Sequence, residues 1–189
     1  MNKGRLFLLS APSGSGKTTI LSALLKLQPK AVRSISMTTR TPRRGERNGL
    51  DYWFVSPAQF ERARKQKDFL EQARILKNWY GTPRRPIEKA LRAGRDVLLG
   101  VDIQGARQIR KSGLPVTTIF LLPPSFAVLR QRLKRRGTET PEQIRLRLRL
   151  ARRELAELKR YDYAVVNDRL DEAIETVRAI LKSEKCRVR

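Results

Sequence analysis

Short apolar runs alternate along the chain with longer stretches of helical periodicity. Each apolar run is bounded by polar or turn-forming residues, which is typical of buried strands. The predicted strands are 5–9, 95–101, 117–122 and 163–166. The amphipathic stretches predicted as helices are about 17–27, 103–111, 125–136, 140–159 and 171–185. Strands that alternate with helices indicate an α/β fold with a parallel sheet covered by helices on both faces.

Residues that begin or end helices agree with these boundaries. Ser125 is placed to cap the helix that follows it, and Pro141 suits the first position of the next one. Pro29 ends the first helix, and Pro123 ends the strand at 117–122. The sequence therefore predicts a helix pair over 125–159.

Residues 34–90 interrupt the alternation. They are rich in Thr, Arg, Pro, Gly and aromatic residues, including the run Thr38–Gly45 and Tyr52-Trp53-Phe54. We interpret this segment as an irregular subdomain inserted into the fold, and such inserts often carry substrate specificity. The alternative is a surface loop without a function of its own.

Composition excludes several classes of protein. The 189 residues are enough for one domain, and no apolar run approaches the length of a membrane span. Cys186 is the single cysteine and there is no histidine, which excludes a disulfide scaffold and a catalytic histidine. The N-terminal residues do not resemble a signal peptide, so we expect a cytoplasmic protein.

The chain is strongly basic, with 42 Lys and Arg against 18 Asp and Glu and a net charge of +24. Such a surface attracts polyanions: nucleic acid, anionic membranes or phosphorylated small molecules. The 29 arginines are spread over the predicted helices other than 17–27, and no recognition helix or aromatic platform accompanies them. We therefore expect no specific nucleic-acid partner and no membrane partner, while a homo-oligomer stays possible.

A glycine-rich turn lies between the first strand and the first helix and ends in Gly16-Lys17-Thr18. The pattern G-x-x-x-x-G-K-[ST] at this position cradles phosphates with backbone N–H groups, and here Ala11 replaces its first glycine. Lys17 is expected to reach the β- and γ-phosphates, and the Thr18 hydroxyl to ligate Mg²⁺. The sequence thus predicts a nucleoside triphosphate site. The residues predicted to bind the triphosphate are Ala11, Pro12, Ser13, Gly14, Ser15, Gly16, Lys17, Thr18 and Thr19.

Further motifs follow in order along almost the whole chain. The segments are 10–18, Thr38-Thr39-Arg40-Thr41-Pro42-Arg43, Gly45-Glu46, Gly49-Leu50-Asp51-Tyr52, Phe69-Leu70-Glu71, Asn78-Trp79-Tyr80-Gly81-Thr82, Val101-Asp102-Ile103-Gln104-Gly105, Pro123-Pro124-Ser125, Arg136-Gly137-Thr138-Glu139-Thr140 and Val166-Asn167-Asp168. Together they resemble the guanylate kinase family, a group of P-loop nucleoside monophosphate kinases. The resemblance implies transfer of the γ-phosphoryl group of ATP to GMP, with Mg²⁺, in purine nucleotide metabolism.

The resemblance also implies a role for particular residues. Guanine presents two adjacent donors and one carbonyl acceptor, so its recognition needs carboxylates and hydroxyls. The implied GMP-binding residues are Ser36, Arg40, Arg43, Tyr52, Glu71, Tyr80, Thr82 and Asp102. The implied catalytic residues are Lys17, Arg40, Arg132, Arg136 and Arg147, and Asn167 is the implied adenine contact. On this basis we divide the chain into a core (1–33, 91–124 and 160–189), a GMP-binding insert (34–90) and a helical lid (125–159).

The chain departs from the family pattern at Gly100, where the family usually carries an acidic residue thought to hold the hydration shell of Mg²⁺. Two related classes of protein are alternatives to a guanylate kinase. Guanylate-kinase-like scaffold domains bind phosphoproteins but usually have degraded phosphate loops, whereas Lys17 and Thr18 are present here. A kinase acting on a ribose bisphosphate would not need Glu71 or the two hydroxyls.

Overall fold

The computed structural model describes residues 4–43, 45–75, 77–135 and 140–188. The strands are Leu6–Ser10 (β1), Val32–Arg33 (β2), Met37–Thr38 (β3), Trp53–Phe54 (β4), Phe69–Ile75 (β5), Asn78–Pro83 (β6), Val97–Val101 (β7), Val116–Leu122 (β8) and Tyr163–Val166 (β9). The α-helices are Lys17–Leu27 (α1), Pro57–Lys65 (α2), Arg84–Arg92 (α3), Ile103–Arg110 (α4), Phe126–Arg135 (α5), Pro141–Leu155 (α6) and Leu170–Lys185 (α7).

The main sheet confirms the predicted α/β class. Its strand order is β2-β7-β1-β8-β9, and β8 pairs with β9 in parallel. Every residue of β1 is buried, because this strand lies in the middle of the sheet with neighbours on either side. The four predicted strands all occur; the short β2 at the sheet edge was not predicted.

The predicted insert contains a second sheet, so the expectation of an irregular segment was wrong. Its order is β4-β3-β6-β5, with β6 antiparallel to both β3 and β5. Phe60 of α2 stacks on two rings of this sheet, Phe69 of β5 and Trp79 of β6. The ring centroids of Phe60 and Phe69 are 4.7 Å apart. Helix α3 continues past residue 90, where we had placed the end of the insert.

The chain forms two compact units, which are described separately. The first unit comprises the described parts of 1–6, 30–97 and 104–116, and the second those of 7–29, 98–103 and 117–189. The second sheet belongs to the first unit, and the phosphate-loop segment belongs to the second unit.

Helices α5 and α6 form the predicted pair in the second unit. Leu129, Leu133, Ile144 and Ala151 make a buried cluster between them. Ser125 caps α5 as predicted, since its Oγ accepts a hydrogen bond from the Val128 N–H at 3.2 Å. Helix α6 ends at Leu155, before the predicted 159, and a short 3-10 helix follows at Leu158–Arg160. None of the helices in the described ranges has the length and apolar character needed to cross a membrane.

Candidate active site

The loop between β1 and α1 has the backbone of a phosphate-binding turn. Gly14 and Gly16 adopt φ angles of 95° and 87°, a left-handed conformation that glycine reaches without strain. The Ser15 N–H donates to the Pro12 carbonyl at 3.1 Å and closes the turn. No side chain caps the start of α1. Its first N–H groups and the positive end of its dipole are therefore available to an anion.

Lys17 begins α1 and extends along the end of the main sheet. Its Nζ donates to the Val101 carbonyl at 2.6 Å, which fixes the ammonium group at the carboxyl end of β7. An ammonium group has three donors, so one lysine can contact a carbonyl and an anion together. Thr18 and Thr19 follow in the first turn of α1 with exposed side chains.

Asn167 packs against the phosphate loop from the end of β9. Its side chain is buried, and its Nδ2 donates to the Ser15 carbonyl at 2.8 Å. A Cβ atom at Gly16 would lie 2.3 Å from the same nitrogen, so only glycine fits beside this amide. The structure thus gives Asn167 a contact with the loop, and its contact with adenine stays a prediction.

Two of the predicted arginines in the helix pair lie against this region. Arg147 on α6 donates to the Ser13 Oγ at 2.7 Å. Arg132 on α5 donates to the Asn167 carbonyl at 2.9 Å. Arg136, the third predicted arginine, lies outside the described residues. The second unit therefore gathers Lys17, Arg132 and Arg147 around the phosphate loop.

A half-buried carboxylate, Glu154 on α6, also belongs to this region. Burial raises the pKa of Glu154, and the neighbouring Asp102 carboxylate raises this pKa further. The positive charges of Lys17 and Arg147 lower the pKa of Glu154 and so offset part of this increase. Glu154 was not predicted as a site residue, because nothing in its spacing distinguishes it from other helix carboxylates.

Gly100 lies on β7 beside the phosphate-loop lysine. A Cβ atom there would be 3.3 Å from Leu21 Cδ2 and 3.7 Å from the Lys17 side chain. Within the described ranges, no group of three or more acidic, histidine or cysteine side chains could hold a metal ion. The contact of Thr18 with Mg²⁺ therefore stays a prediction.

The first unit contains a cluster of one carboxylate and two hydroxyls, in which Glu71 and Thr82 are buried and Ser36 is half-buried. Glu71 on β5 and Thr82 on β6 are paired across the two strands, and a bulge after Phe69 sets this register. Thr82 Oγ1 donates to Glu71 Oε1 at 2.5 Å, and Ser36 Oγ lies 3.2 Å from Thr82 Oγ1. Glu71 is buried and needs hydrogen bonds of this kind, because burying a carboxylate without a partner costs free energy. The structure brings these three predicted residues together.

A second cluster in the same unit combines an arginine with two tyrosines. The rings of Tyr52 and Tyr80 meet edge to face at 6.0 Å, and the Arg40 guanidinium lies 5.6 Å from the Tyr52 ring. Burial raises the pKa of the Tyr52 phenol, so the hydroxyl stays protonated at neutral pH and can donate. Tyr80 and Thr82 are two residues apart on β6 and share one face of that strand, which connects this cluster to the first.

The remaining predicted residues are placed differently. Arg43 is exposed in the loop before β4. Asp102 follows β7 and belongs to the second unit, near Glu154. The structure adds Glu46, which pairs with Arg40 through two hydrogen bonds of 2.9 Å. Glu46 is the single carboxylate in the basic run 40–47, and this isolation could have marked it in the sequence. The spacing of residues does not predict that its partner is Arg40.

The parallel sheet, the glycine-rich loop and the lysine at the start of α1 define a P-loop protein of the phosphate-binding α/β class. The family model described as "Guanylate kinase" matches residues 3–184. The chain is 45% identical over 188 residues to a guanylate kinase of Desulfitobacterium hafniense, covering 100% of this chain and 94% of the relative. It is 44% identical over 187 residues to one of Clostridium perfringens, covering 99% of this chain and 87% of the relative.

A solved structure agrees with these matches. The crystal structure of guanylate kinase from Anaplasma phagocytophilum has a TM-score of 0.80 and 32% identity, and the match covers 99% of this chain and 89% of that one. The chain therefore belongs to the guanylate kinase family, whose members catalyse the ATP-dependent phosphorylation of GMP to GDP.

Proposed function

We propose that this chain transfers the γ-phosphoryl group of Mg²⁺-bound ATP to GMP, using the residues of the two units described above. The phosphate loop of the second unit binds ATP, and the two clusters of the first unit bind GMP. The observation that carries this assignment is the Glu71–Thr82–Ser36 cluster, because it matches the hydrogen-bonding edge of guanine.

The second unit supplies positive charge to the ATP phosphates. Backbone N–H groups of 13–18 and the start of α1 surround the β-phosphate, while Lys17 bridges towards the γ-phosphate. Arg147 contacts Ser13 of the loop, and Arg132 contacts the carbonyl of Asn167, which itself binds the loop. A movement of their guanidinium groups would place them on the transferring phosphoryl group. We assign the same role to Arg136, from its place in the family motif.

Mg²⁺ would be held by the Thr18 hydroxyl and ATP phosphate oxygens, and would neutralise charge on those oxygens. The chain fits the ion in this way without a dedicated cage of carboxylates. Asp102 and Glu154 are close enough to interact electrostatically with each other. We propose that Glu154 accepts hydrogen bonds from waters on the ion, which would compensate for the acidic side chain that is absent at Gly100.

The first unit recognises guanine through complementary hydrogen bonds. A carboxylate has about four acceptor positions, so Glu71 can accept from guanine N1–H and N2–H₂ as well as from Thr82. The hydroxyls of Ser36 and Thr82 can rotate to donate to guanine O6, and when the Thr82 hydroxyl does so it gives up its hydrogen bond to Glu71, whose oxygens then accept from the guanine donors. Asp102, which belongs to the other unit, is proposed as the further acceptor. Adenine lacks both donors, so the cluster favours guanine over adenine.

The GMP phosphate is a dianion and needs several donors. Arg40 and Arg43 provide charge-assisted hydrogen bonds, and the phenol hydroxyls of Tyr52 and Tyr80 provide neutral ones. Phosphoryl transfer then requires positioning and charge neutralisation more than covalent chemistry by the protein. The lid helices α5 and α6 contribute by excluding water, which would otherwise accept the phosphoryl group.

A coupled assay of ADP formation with GMP, AMP, CMP and UMP as acceptors tests this function. We expect turnover with GMP to exceed that with AMP, CMP and UMP by at least about a hundredfold. Lys17→Ala should lose turnover by about a hundredfold or more, because it removes positive charge at the transferring phosphoryl group. Lys26→Ala is the matched control, since Lys26 is an exposed lysine in the last turn of the same helix. Equal rates with AMP and GMP would reject the guanine assignment.

The reaction is expected to take place in the cytoplasm, where ATP and GMP are both present. Both substrates are small anions, and the +24 charge of the chain favours their approach.

A further inference from the structure

Glu46 lies in the loop between β3 and β4 and binds two of the residues proposed to hold the GMP phosphate. Its carboxylate accepts two hydrogen bonds from the Arg40 guanidinium in a two-fold (bidentate) contact, from Nη1 to Oε2 at 2.9 Å and from Nη2 to Oε1 at 2.9 Å. Oε2 also accepts from the backbone N–H of Arg43 at 2.7 Å. One side chain therefore fixes the side chain of one arginine and the backbone of the other.

The Arg40 guanidinium is held from several directions. Its Nη1 also donates to the Thr41 carbonyl at 2.7 Å, and its group lies 5.6 Å from the rings of Tyr52 and Phe54. The side chains of Arg40 and Glu46 are 13% and 20% exposed, so solvent competes weakly for this pair. The hydrogen bond with Arg40 lowers the pKa of Glu46, and the carboxylate is ionised at neutral pH.

We propose that Glu46 is a positioning residue for GMP: it orients Arg40 and the backbone at Arg43 so that both arginines meet the GMP phosphate without a further ordering cost. This inference rests on the proposed function, since it assigns a role within the GMP site. Glu46 itself is an anion and does not bind the phosphate.

Two opposing effects of the carboxylate make the proposal testable by sign. The negative charge of Glu46 cancels one positive charge of the loop and weakens its attraction for a phosphate dianion. Its hydrogen bonds hold a long, flexible arginine in one conformation, which lowers the entropy lost on binding. If charge dominated, removal of the carboxylate would tighten GMP binding. Because the pair is mostly buried and has two-fold geometry, we expect orientation to dominate.

The test compares Glu46→Gln with a matched control in the same unit. Glu61→Gln is that control, because Glu61 and Arg64 form a similar two-fold pair, with both contacts at 2.7 Å, on α2. Arg64 also lies over an aromatic ring, that of Trp79, at 5.7 Å. We expect Glu46→Gln to raise the KM for GMP by about 10- to 100-fold, the range expected for losing hydrogen bonds to a charged group. The KM for ATP should be unchanged in both variants, and Glu61→Gln should keep the wild-type KM for GMP.

A second readout separates positioning from collapse of the pocket. Guanosine carries the base without the phosphate, so its inhibition constant should be the same for Glu46→Gln and the wild type. Glu46→Asp keeps the charge but its shorter side chain cannot reach all three donors, and we expect a KM for GMP between those of the wild type and Glu46→Gln. Thermal unfolding of each variant identifies any that fails to fold, and Glu46→Asp then carries the test.

The outcomes are distinct. A wild-type or lower KM for GMP in both Glu46 variants overturns the positioning role, and so does an equal loss of GMP and guanosine affinity. Neither result affects the proposed function, provided that the wild-type chain phosphorylates GMP. Failure of the wild-type chain to do so would instead reject the proposed function.

Discussion

At the scale of single residues, Glu71 is where the guanine assignment is most exposed to test. Glu71→Gln keeps one acceptor oxygen but turns an NH₂ group towards the guanine donors. An unpaired donor of this kind costs about 1–3 kcal/mol, so the ratio of kcat/KM for GMP to that for AMP should fall by about tenfold to a thousandfold. The KM for ATP should not change. A collapse of ATP binding with an unchanged ratio would make Glu71 a structural residue.

Glu154 gives a prediction about stability and pH. Because its pKa is raised in the folded chain, mainly by burial, its contribution to stability is greatest below the unfolded value of 4.5 and is lost as pH rises through the folded pKa. Glu154→Gln does not titrate and avoids this loss. The free energy of unfolding of Glu154→Gln relative to the wild type should therefore increase between about pH 4 and about pH 7, as measured by urea denaturation.

The exposed Glu142→Gln on the same helix serves as the control for this measurement. A relative stability of Glu154→Gln that stays constant over the same pH range would show that the environment of Glu154 does not penalise its charge.

Sequence reasoning predicted residues whose chemistry is local and missed those defined by tertiary partners. The phosphate loop could be predicted because glycines, lysine and threonine occur consecutively and follow a strand. The GMP-site residues came from the resemblance, and the structure brings Ser36, Glu71 and Thr82 into hydrogen-bonding contact. Glu46 was not predicted, because its two-fold contact with Arg40 depends on how the loop closes.

At the scale of secondary structure elements, β5 lies at the edge of the second sheet and has an unusual partner. The side chain of Gln108 on α4 accepts from the Gln72 N–H at 3.0 Å and donates to the Gln72 carbonyl at 2.8 Å. One amide thus satisfies both backbone groups of an edge residue, as a neighbouring strand would. We infer that this contact attaches α4 to the sheet of the first unit.

Gln108→Leu should destabilise the chain by about 1–3 kcal/mol, because it leaves two backbone groups of β5 without their partner. Gln104→Leu, at an exposed position on the same helix, controls for the added apolar side chain. Denaturant unfolding of both variants measures the difference. Equal stabilities would mean that water replaces Gln108 at the strand edge without cost.

Element prediction succeeded for the strands that are mostly apolar and failed within residues 34–90, where β5, β6, α2 and α3 have six to nine residues and were not predicted. Strands β1, β7, β8 and β9 have four or more residues, so their apolar runs stand out. Strands β2, β3 and β4 have two residues each, too few for any alternation to be recognised. The end of α6 was overestimated, because the same apolar and basic spacing continues through the 3-10 helix at Leu158–Arg160.

At the scale of the whole molecule, the net charge of +24 should make substrate binding sensitive to salt. Fields from exposed charges are screened within about 8 Å at physiological ionic strength. We expect the KM for GMP to rise with KCl concentration, while the inhibition constant of uncharged guanosine changes little. A KM for GMP that is independent of KCl would show that the charge of the surface does not contribute to binding.

The most direct test of the central claim is a competition among acceptors. The wild-type chain is incubated with ATP, Mg²⁺ and an equimolar mixture of GMP, AMP, CMP and UMP, and the diphosphates formed are separated and quantified by chromatography. If the Glu71–Thr82–Ser36 cluster recognises guanine and the phosphate loop delivers the phosphoryl group, GDP should be the dominant acceptor product at early times. Formation of CDP or UDP at a rate similar to that of GDP would contradict this claim. ADP in excess of the one ADP released from ATP at each transfer would contradict it in the same way, because that excess comes from AMP.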